Sequence, residues 1–426
     1  MTAPLLRRVD AAAVPPRLAA GLDATTLAAA GEIVTDVRAN GTDALLRCAA
    51  RFDGWSPGRP WRFERPALEA ALAAIDGQAR AVLERAAQRI RTFATAQRSA
   101  LTSLKVSVPG GAVGHDVVAM ERAGCYAPAG RFPLPSSLLM TAVTARAAGV
   151  REVVVASPNP GPLMLAAAAI ADADVVLGVG GAQAIAALAY GVGVGACDIV
   201  VGPGNRWVTA AKKCVAGDVA IDMLAGPSEL VVVADADADA GTVAADLLAQ
   251  AEHDADAFTA LVVTDARVID ATERELRRQL EPLPTRDVAI AALRNGMAVC
   301  CADLRQVAEV CNILAPEHLQ LSIRDPESLA ARIRNAGALF LGERSAEVFG
   351  DYGVGGNHVL PTGRGARFSG GLSVLTFQRV RTWLRLDDAT NVVQDVAALA
   401  RLEGLEAHAR AAERRRMPYV GGAAGS

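Results

Sequence analysis

Apolar and polar residues are spaced along this chain in two distinct rhythms. Between about residues 24 and 104 the apolar positions recur at helical spacing, as in Leu68, Ala71, Leu72 and Ile75 and again in Val82, Leu83, Ala86 and Ile90, with Gly41, Gly54 and Pro57 as breaks. This predicts a helical N-terminal region, and no chemistry is visible in it. From Val117 onward the rhythm changes to short β-rich runs set between helical segments. Residues 153–155, 175–177, 199–201, 231–233 and 261–263 read as buried strands, and 137–148, 162–171, 182–190, 205–215 and 242–252 as helices. The alternation resumes with a helix near 267–280, a strand at 297–300, a helix near 303–314, a strand at 319–321, a helix near 327–335 and a strand at 338–341. Strands alternating with helices of this length build parallel βαβ layers. The expected fold is α/β, with two Rossmann-like parallel-sheet units, an N-terminal helical region and a C-terminal helical tail. The expected divisions are 1–109, 110–226, 227–378 and 379–426. Residues 351–375 read as a Gly-rich loop, which in a compact protein is more often functional than idle. The last ten residues, 417–426, read as a frayed end.

Composition narrows the partners. At 426 residues, 52% hydrophobic and 21% charged, the chain has enough apolar surface to bury a large interior, which excludes wholesale disorder. Lys plus Arg number 43 against 46 Asp plus Glu, and a net charge of −3 offers no electrostatic footprint for nucleic acid or an anionic membrane. A small molecule is the expected partner. Seven cysteines without C-x-x-C spacing suit reduced thiols and a cytoplasmic setting. Residues 1–10 meet Arg7, Arg8 and Asp10 before any signal-peptide core, and apolar runs such as 163–171 are cut by Asp172 and Asp174. Neither an export signal nor a membrane span is expected.

Several polar groups interrupt the apolar pattern. Gln250 and His253 stand three apart in a helix-like run, so they share a face while Glu252 points elsewhere. Such a pair can hold a metal, although alone it is more simply read as hydrogen bonding inside a packed core. Gly178-Val179-Gly180-Gly181-Ala182-Gln183 follows a strand and opens a helix, but lacks the third glycine of a dinucleotide fingerprint. Gly202-Pro203-Gly204-Asn205 repeats the arrangement, which places two Gly-rich turns on the carboxyl edge of one sheet. Glu317-His318 offers two adjacent proton-handling groups. Asp351, His358, and the pair Glu403 and His408 read singly as loop caps or solvated surface, and the five-residue offset of the last pair does not set them on one stripe. Gln, His, Asp and a second His together would form a mixed nitrogen and oxygen set suited to zinc. Spacing alone leaves open whether they converge.

In order along the chain, these motifs resemble the histidinol dehydrogenase family. The resemblance rests on Tyr126-Ala127-Pro128-Ala129-Gly130, Pro135-Ser136-Ser137, Gly180-Gly181-Ala182-Gln183, Gly202-Pro203-Gly204-Asn205 and Ile221-Asp222-Met223-Leu224-Ala225-Gly226-Pro227-Ser228-Glu229. It continues through Gln250-Ala251-Glu252-His253, Pro316-Glu317-His318-Leu319, Gly350-Asp351-Tyr352, Asn357-His358-Val359-Leu360-Pro361-Thr362, and Glu403 with His408. It implies a zinc- and NAD-dependent oxidation of L-histidinol through L-histidinal to L-histidine. By motif position it implies zinc ligands at Gln250, His253 and Asp351, with His408 donated across a homodimer by an exchanged C-terminal tail. Substrate contacts are implied at Ser228, Gln250, His253, His318, Asp351, His358, Glu403 and His408, NAD contacts at Tyr126, Gln183 and Asn205, and catalysis by Glu317 and His318. The first α/β unit is thereby the NAD side and the second carries the zinc and the catalytic pair. Ala129 stands where many members carry Gly, and Arg131-Phe132-Pro133-Leu134 and Arg381-Thr382-Trp383-Leu384-Arg385 also depart from the usual pattern. Two other readings stay open: a related dehydrogenase of another small polar alcohol, such as a sulfonated diol, and a catalytically silent metal-binding homologue.

Overall fold

A computed structural model describes residues 4–16, 22–129 and 133–416. Gly130, Arg131, Phe132 and the expected frayed end at 417–426 lie outside the described residues. Among the described residues fifteen strands run in chain order: β1 (Arg7–Asp10), β2 (Arg62–Glu64), β3 (Leu104–Val108), β4 (Gly111–Ala119), β5 (Arg122–Tyr126), β6 (Glu152–Ala156), β7 (Val175–Leu177), β8 (Ile199–Val201), β9 (Ala220–Ile221), β10 (Glu229–Ala234), β11 (Phe258–Val263), β12 (Met297–Cys300), β13 (His318–Ser322), β14 (Ala338–Leu341) and β15 (Gln378–Leu386). They form two six-stranded sheets and one of three strands.

The chain divides into two compact units, Met1–Ala96 with Met120–Phe377, and Gln97–Ala119 with Gln378–Ser426. The first unit holds both large sheets. One runs β2-β7-β6-β5-β8-β9, all parallel except the edge strand β2, and the other runs β1-β12-β11-β10-β13-β14, parallel throughout. Counted from β5 and from β10, both follow the doubly wound order 3-2-1-4-5. Strands β10 and β11 are buried end to end and β5 and β6 at all but their first residue, which is why they read as apolar runs: a parallel sheet covered by helices on both faces leaves no polar side. Helices start where short polar side chains cap free amides. Asp239 accepts from Thr242 N, Asp303 from Gln306 N, and Asn205 from Trp207 N and Val208 N.

The observed elements depart from the sequence reading where polarity hides them. The stretch 1–109, expected as helical, also supplies an edge strand to each large sheet. In β1 a single apolar residue stands among charges, and β2 spans three residues, so neither gives a hydrophobic signal. A helix at Arg286–Asn295 was not expected, and the helix expected near 327–335 is only Pro326–Ala330. The second unit is an antiparallel sheet, β15-β4-β3, with helices Thr390–Leu402 and Glu406–Glu413. Most of β15 is exposed, so alternation is too weak to reveal it. The Gly-rich loop is punctuated by helix Glu347–Tyr352 and by two 3-10 turns.

Candidate functional site

The two large sheets present opposite ends to one region of the first unit. From the first sheet comes the carboxyl edge: Tyr126 ends β5, and the Gly-rich turns follow β7 and β8. From the second comes the amino edge, because β10 begins at Glu229 and β13 at His318. Parallel register sets Leu230 opposite His318, which brings the backbone of Glu229 beside the side chains of Glu317 and His318. Glu229 N donates to Glu317 Oε2 at 2.9 Å, and His318 Nδ1 lies 3.1 Å from Glu229 O. A carbonyl only accepts, so Nδ1 carries the proton and Nε2 presents its lone pair.

That Nε2 is buried without a hydrogen-bond partner and stands 4.0 Å from Asp351 Oδ1. Burial holds His318 in its neutral form, down to about 3. His358 has the same tautomer. Its Nδ1 is 3.2 Å from Asp351 O and its Nε2 is 3.3 Å from Ser137 Oγ, and burial lowers it to about 4. Ser137 opens the helix Pro135–Ala148, so this contact ties the first sheet's helix layer to the second sheet's loop. His253 is exposed at the rim, yet the packed chain around its ring holds it below the ordinary histidine range. It lies close enough to His318 and His358 for a charge on it to oppose theirs. Ser228 precedes β10 at the same edge.

The shared helical face expected for Gln250 and His253 is corrected in part. The helix runs Ala240–Ala251 and ends before His253, because Glu252 caps it and the chain turns. The i,i+3 relation survives as a turn, with His253 N 3.4 Å from Gln250 O. Gln250 is wholly buried, and one terminal atom of its amide lies 2.7 Å from Glu347 Oε1 and 3.3 Å from Oε2; facing two acceptors, that atom is assigned as the donating nitrogen. Glu347 was not singled out from sequence, although it stands one helical turn before Asp351 and that spacing was available as a signal. Its Oε1 also lies 3.4 Å from His318 Nδ1.

Burial pushes the carboxyls of Glu317 and Glu347 well above the usual range and that of Asp351 up to about 6. Their only ion-pair neighbours among the described residues are His318 and His358, and no Lys or Arg reaches them. Buried carboxylates without cationic partners either hold protons or await a cation. His318, Glu347 and Asp351 offer ligand atoms within 4.8 Å of one another. The unpartnered imidazole nitrogen, the clustered oxygens and the absence of thiolates fit a nitrogen- and oxygen-ligated metal. Glu403 and His408 belong to the second unit, where both are exposed beside and on its terminal helix.

The first sheet's edge is built differently. Tyr126 Oη accepts from Gly181 N at 3.2 Å, while Gln183 Nε2 and Gly180 N both donate to Asp53 Oδ2, at 3.0 and 2.9 Å. Asp53 follows the first long helix, and the apolar pattern gave no sign of its reach. Asn205 caps the helix Arg206–Val215. Beneath that turn Lys212 and Asp222 form a fully buried ion pair; Lys212 Nζ donates to Gly202 O at 3.0 Å, and Asp222 Oδ2 accepts from Gly202 N at 2.8 Å. Gly202 has φ +116°, and a Cβ there would lie 2.1 Å from Tyr126 O, so only glycine lets β5 and the turn approach this closely.

Comparison with known proteins places the whole chain in one family. The family model described as histidinol dehydrogenase matches residues 20–416. The histidinol dehydrogenase of Thermus thermophilus is 44% identical over 392 residues, covering 90% of this chain and 93% of that one. The enzyme of Aromatoleum aromaticum is 44% identical over 435 residues, with 97% and 99% covered. The crystal structure of histidinol dehydrogenase from Elizabethkingia anophelis superposes with a TM-score of 0.91 at 30% identity, covering 97% of this chain and 99% of that one.

Proposed function

The chain belongs to the histidinol dehydrogenase family, an oxidoreductase family, and on that premise we propose that it oxidises L-histidinol through L-histidinal to L-histidine, with NAD accepting a hydride in each of two steps. The observation that carries this reading is His318 Nε2, a buried, unprotonated and unpartnered base set among carboxylates. Zinc bound by Gln250, His253, Asp351 and His408 of a second chain would anchor the amino and imidazole nitrogens of the substrate, so that it need not generate hydroxide.

The chain's own groups supply the proton chemistry. His318 Nε2 takes the hydroxyl proton while hydride leaves the carbinol carbon. Glu317, whose Oε2 is fixed by Glu229 N, activates the water that adds to the aldehyde, and the resulting hydrate loses the second hydride. The balance is one histidinol, one water and two NAD+ to one histidine, as its carboxylate, two NADH and three protons. Ser228, His358 and Glu403 contact the substrate, and Tyr126, Gln183 and Asn205 contact NAD. A homodimer with exchanged C-terminal tails supplies Glu403 and His408. The seven cysteines are free, in keeping with a reducing cytoplasm, and no described helix is long and apolar enough to cross a membrane.

A histidinol and NAD assay before and after chelation tests the reading. Two NADH per histidinol, lost on chelation and restored by zinc, is the expected result. Turnover of a sulfonated diol without turnover of histidinol would assign the chain to a related alcohol dehydrogenase. No turnover of either, with metal retained, would make it a binding homologue.

A further inference from the structure

Gln250 is a neutral amide whose two ends are nearly alike in shape and opposite in chemistry. Its oxygen can face a cation, whereas its NH2 group would repel one. Nothing in the packing of a wholly buried glutamine decides between these orientations; its hydrogen-bond partner does. That partner is Glu347, whose two oxygens lie 2.7 and 3.3 Å from one terminal atom of the Gln250 amide, the end assigned as its nitrogen because it faces two acceptors. With a cation held beside it Glu347 is ionised and accepts only, so it takes the NH2 end and leaves Gln250 Oε1 free. Glu347 and Asp351 sit four apart on the helix Glu347–Tyr352, which packs against the helix Ala240–Ala251 that carries Gln250. One short helix thus directs one carboxylate at the amide and a second at the histidines.

We propose that Glu347 is a positioning residue, which fixes the Gln250 amide so that its oxygen is the atom offered to the metal. The inference rests on Gln250 being a ligand. Groups that orient ligands typically contribute 10- to 100-fold to metal affinity. The alternative role for Glu347 is direct ligation, since it lies within the same cluster of donor atoms as His318 and Asp351.

The test is a double-mutant cycle read by zinc release from the purified enzyme into a chromogenic chelator. Glu347→Ala is expected to lose zinc roughly 10- to 100-fold faster than the wild type. Glu347→Gln keeps an acceptor for the amide and is expected to recover most of that loss. Adding Glu347→Ala to Gln250→Ala is expected to change nothing further, because the group through which Glu347 acts is gone. Melting of the metal-free proteins reads out structural damage, and Glu347→Gln carries the test if the alanine variant does not fold. An undiminished effect of Glu347→Ala in the Gln250→Ala background, or zinc loss from Glu347→Gln as fast as from Glu347→Ala, would overturn the inference in favour of a ligand. If Gln250→Ala holds zinc like the wild type, the ligand assignment itself fails and the inference with it. That result is distinct, because it appears in the single variant.

Discussion

The two large sheets share one strand order, yet their facing edges are in opposite states. At the carboxyl edge of the first, the polar groups of the turns already have partners: Asp53 holds Gly180 and Gln183, Asn205 caps its own helix, and Lys212 with Asp222 holds Gly202. At the amino edge of the second, carboxylates face neutral imidazoles with no Lys or Arg paired to them among the described residues, and His318 Nε2 has no partner there. The first edge is finished in its own hydrogen bonding, whereas the second is incomplete in that sense, with a buried imidazole nitrogen that no described residue meets. Topology alone would have pointed to the carboxyl edges of both sheets. The second sheet's carboxyl edge instead carries Asp235, Asp237 and Asp239, and these are occupied by Arg324, Thr242 and each other's turns. Function follows the side chains placed at an edge, and the strand order only says which strands lie at the centre.

The largest effect should fall at the incomplete edge. Replacing His318 by Asn removes the free base and should lower kcat by roughly 100- to 10,000-fold, with unfolding of the metal-free protein no easier than in the wild type. Full activity in that variant would place the base elsewhere. At the finished edge the corresponding injury should be structural. Lys212→Met leaves Asp222 as an uncompensated buried charge and should cost about 3–5 kcal/mol in denaturant unfolding, with a raised KM for NAD. A neutral result there would show that the turn does not depend on the pair, and the contrast between the edges would weaken.

Sequence exposed the fold wherever burial makes strands apolar, as in β10 and β11, and hid it wherever strands lie at an edge, as in β1, β2 and β15. The site was legible as a set of motifs and not as a place. Glu317 and His318 become a proton-handling pair only through the parallel register that sets β13 beside the start of β10, and register is a long-range fact. Gln250 and His253 were legible by spacing, although the helix stops between them. Glu347 and Asp53 were missed for different reasons. The first carries a helical i,i+4 signal with Asp351 that could have been used. The second acts across 127 residues of sequence on Gly180, and no local pattern encodes that.

A smaller effect is expected just behind the incomplete edge. Asp246 is half-buried and accepts from Gln320 Nε2 at 2.6 Å; burial raises it from 3.8 to about 6. Because the folded state binds this proton more tightly than the unfolded chain, the group's stabilising contribution is complete below about pH 4 and is lost as pH rises through about 6. Asp246→Asn removes that dependence. Its stability relative to the wild type should therefore grow by about 2 kcal/mol between pH 4 and pH 8, measured by chemical denaturation of the metal-free proteins. A difference that stays constant with pH would mean that Asp246 is ionised in the fold at no cost.

The smallest effect returns to the finished edge and asks whether it is passive. Asp53 places a carboxylate against Gly180 N, at the opening of the helix Gly181–Tyr190, where an anionic dinucleotide would otherwise find free amides. Burial raises Asp53, but it accepts two N–H groups that favour its charged form. Asp53→Asn keeps the side chain's shape and one acceptor oxygen and removes the charge. A like charge near a helix N-terminus is worth about 0.3–1 kcal/mol, so KM for NAD should fall by roughly two- to fivefold, more at low salt, with kcat unchanged. If KM rises instead, the contact between Asp53 and Gln183 is what holds the amide for the cofactor. The first edge would then depend on its own carboxylate, as the second is proposed to depend on bound zinc.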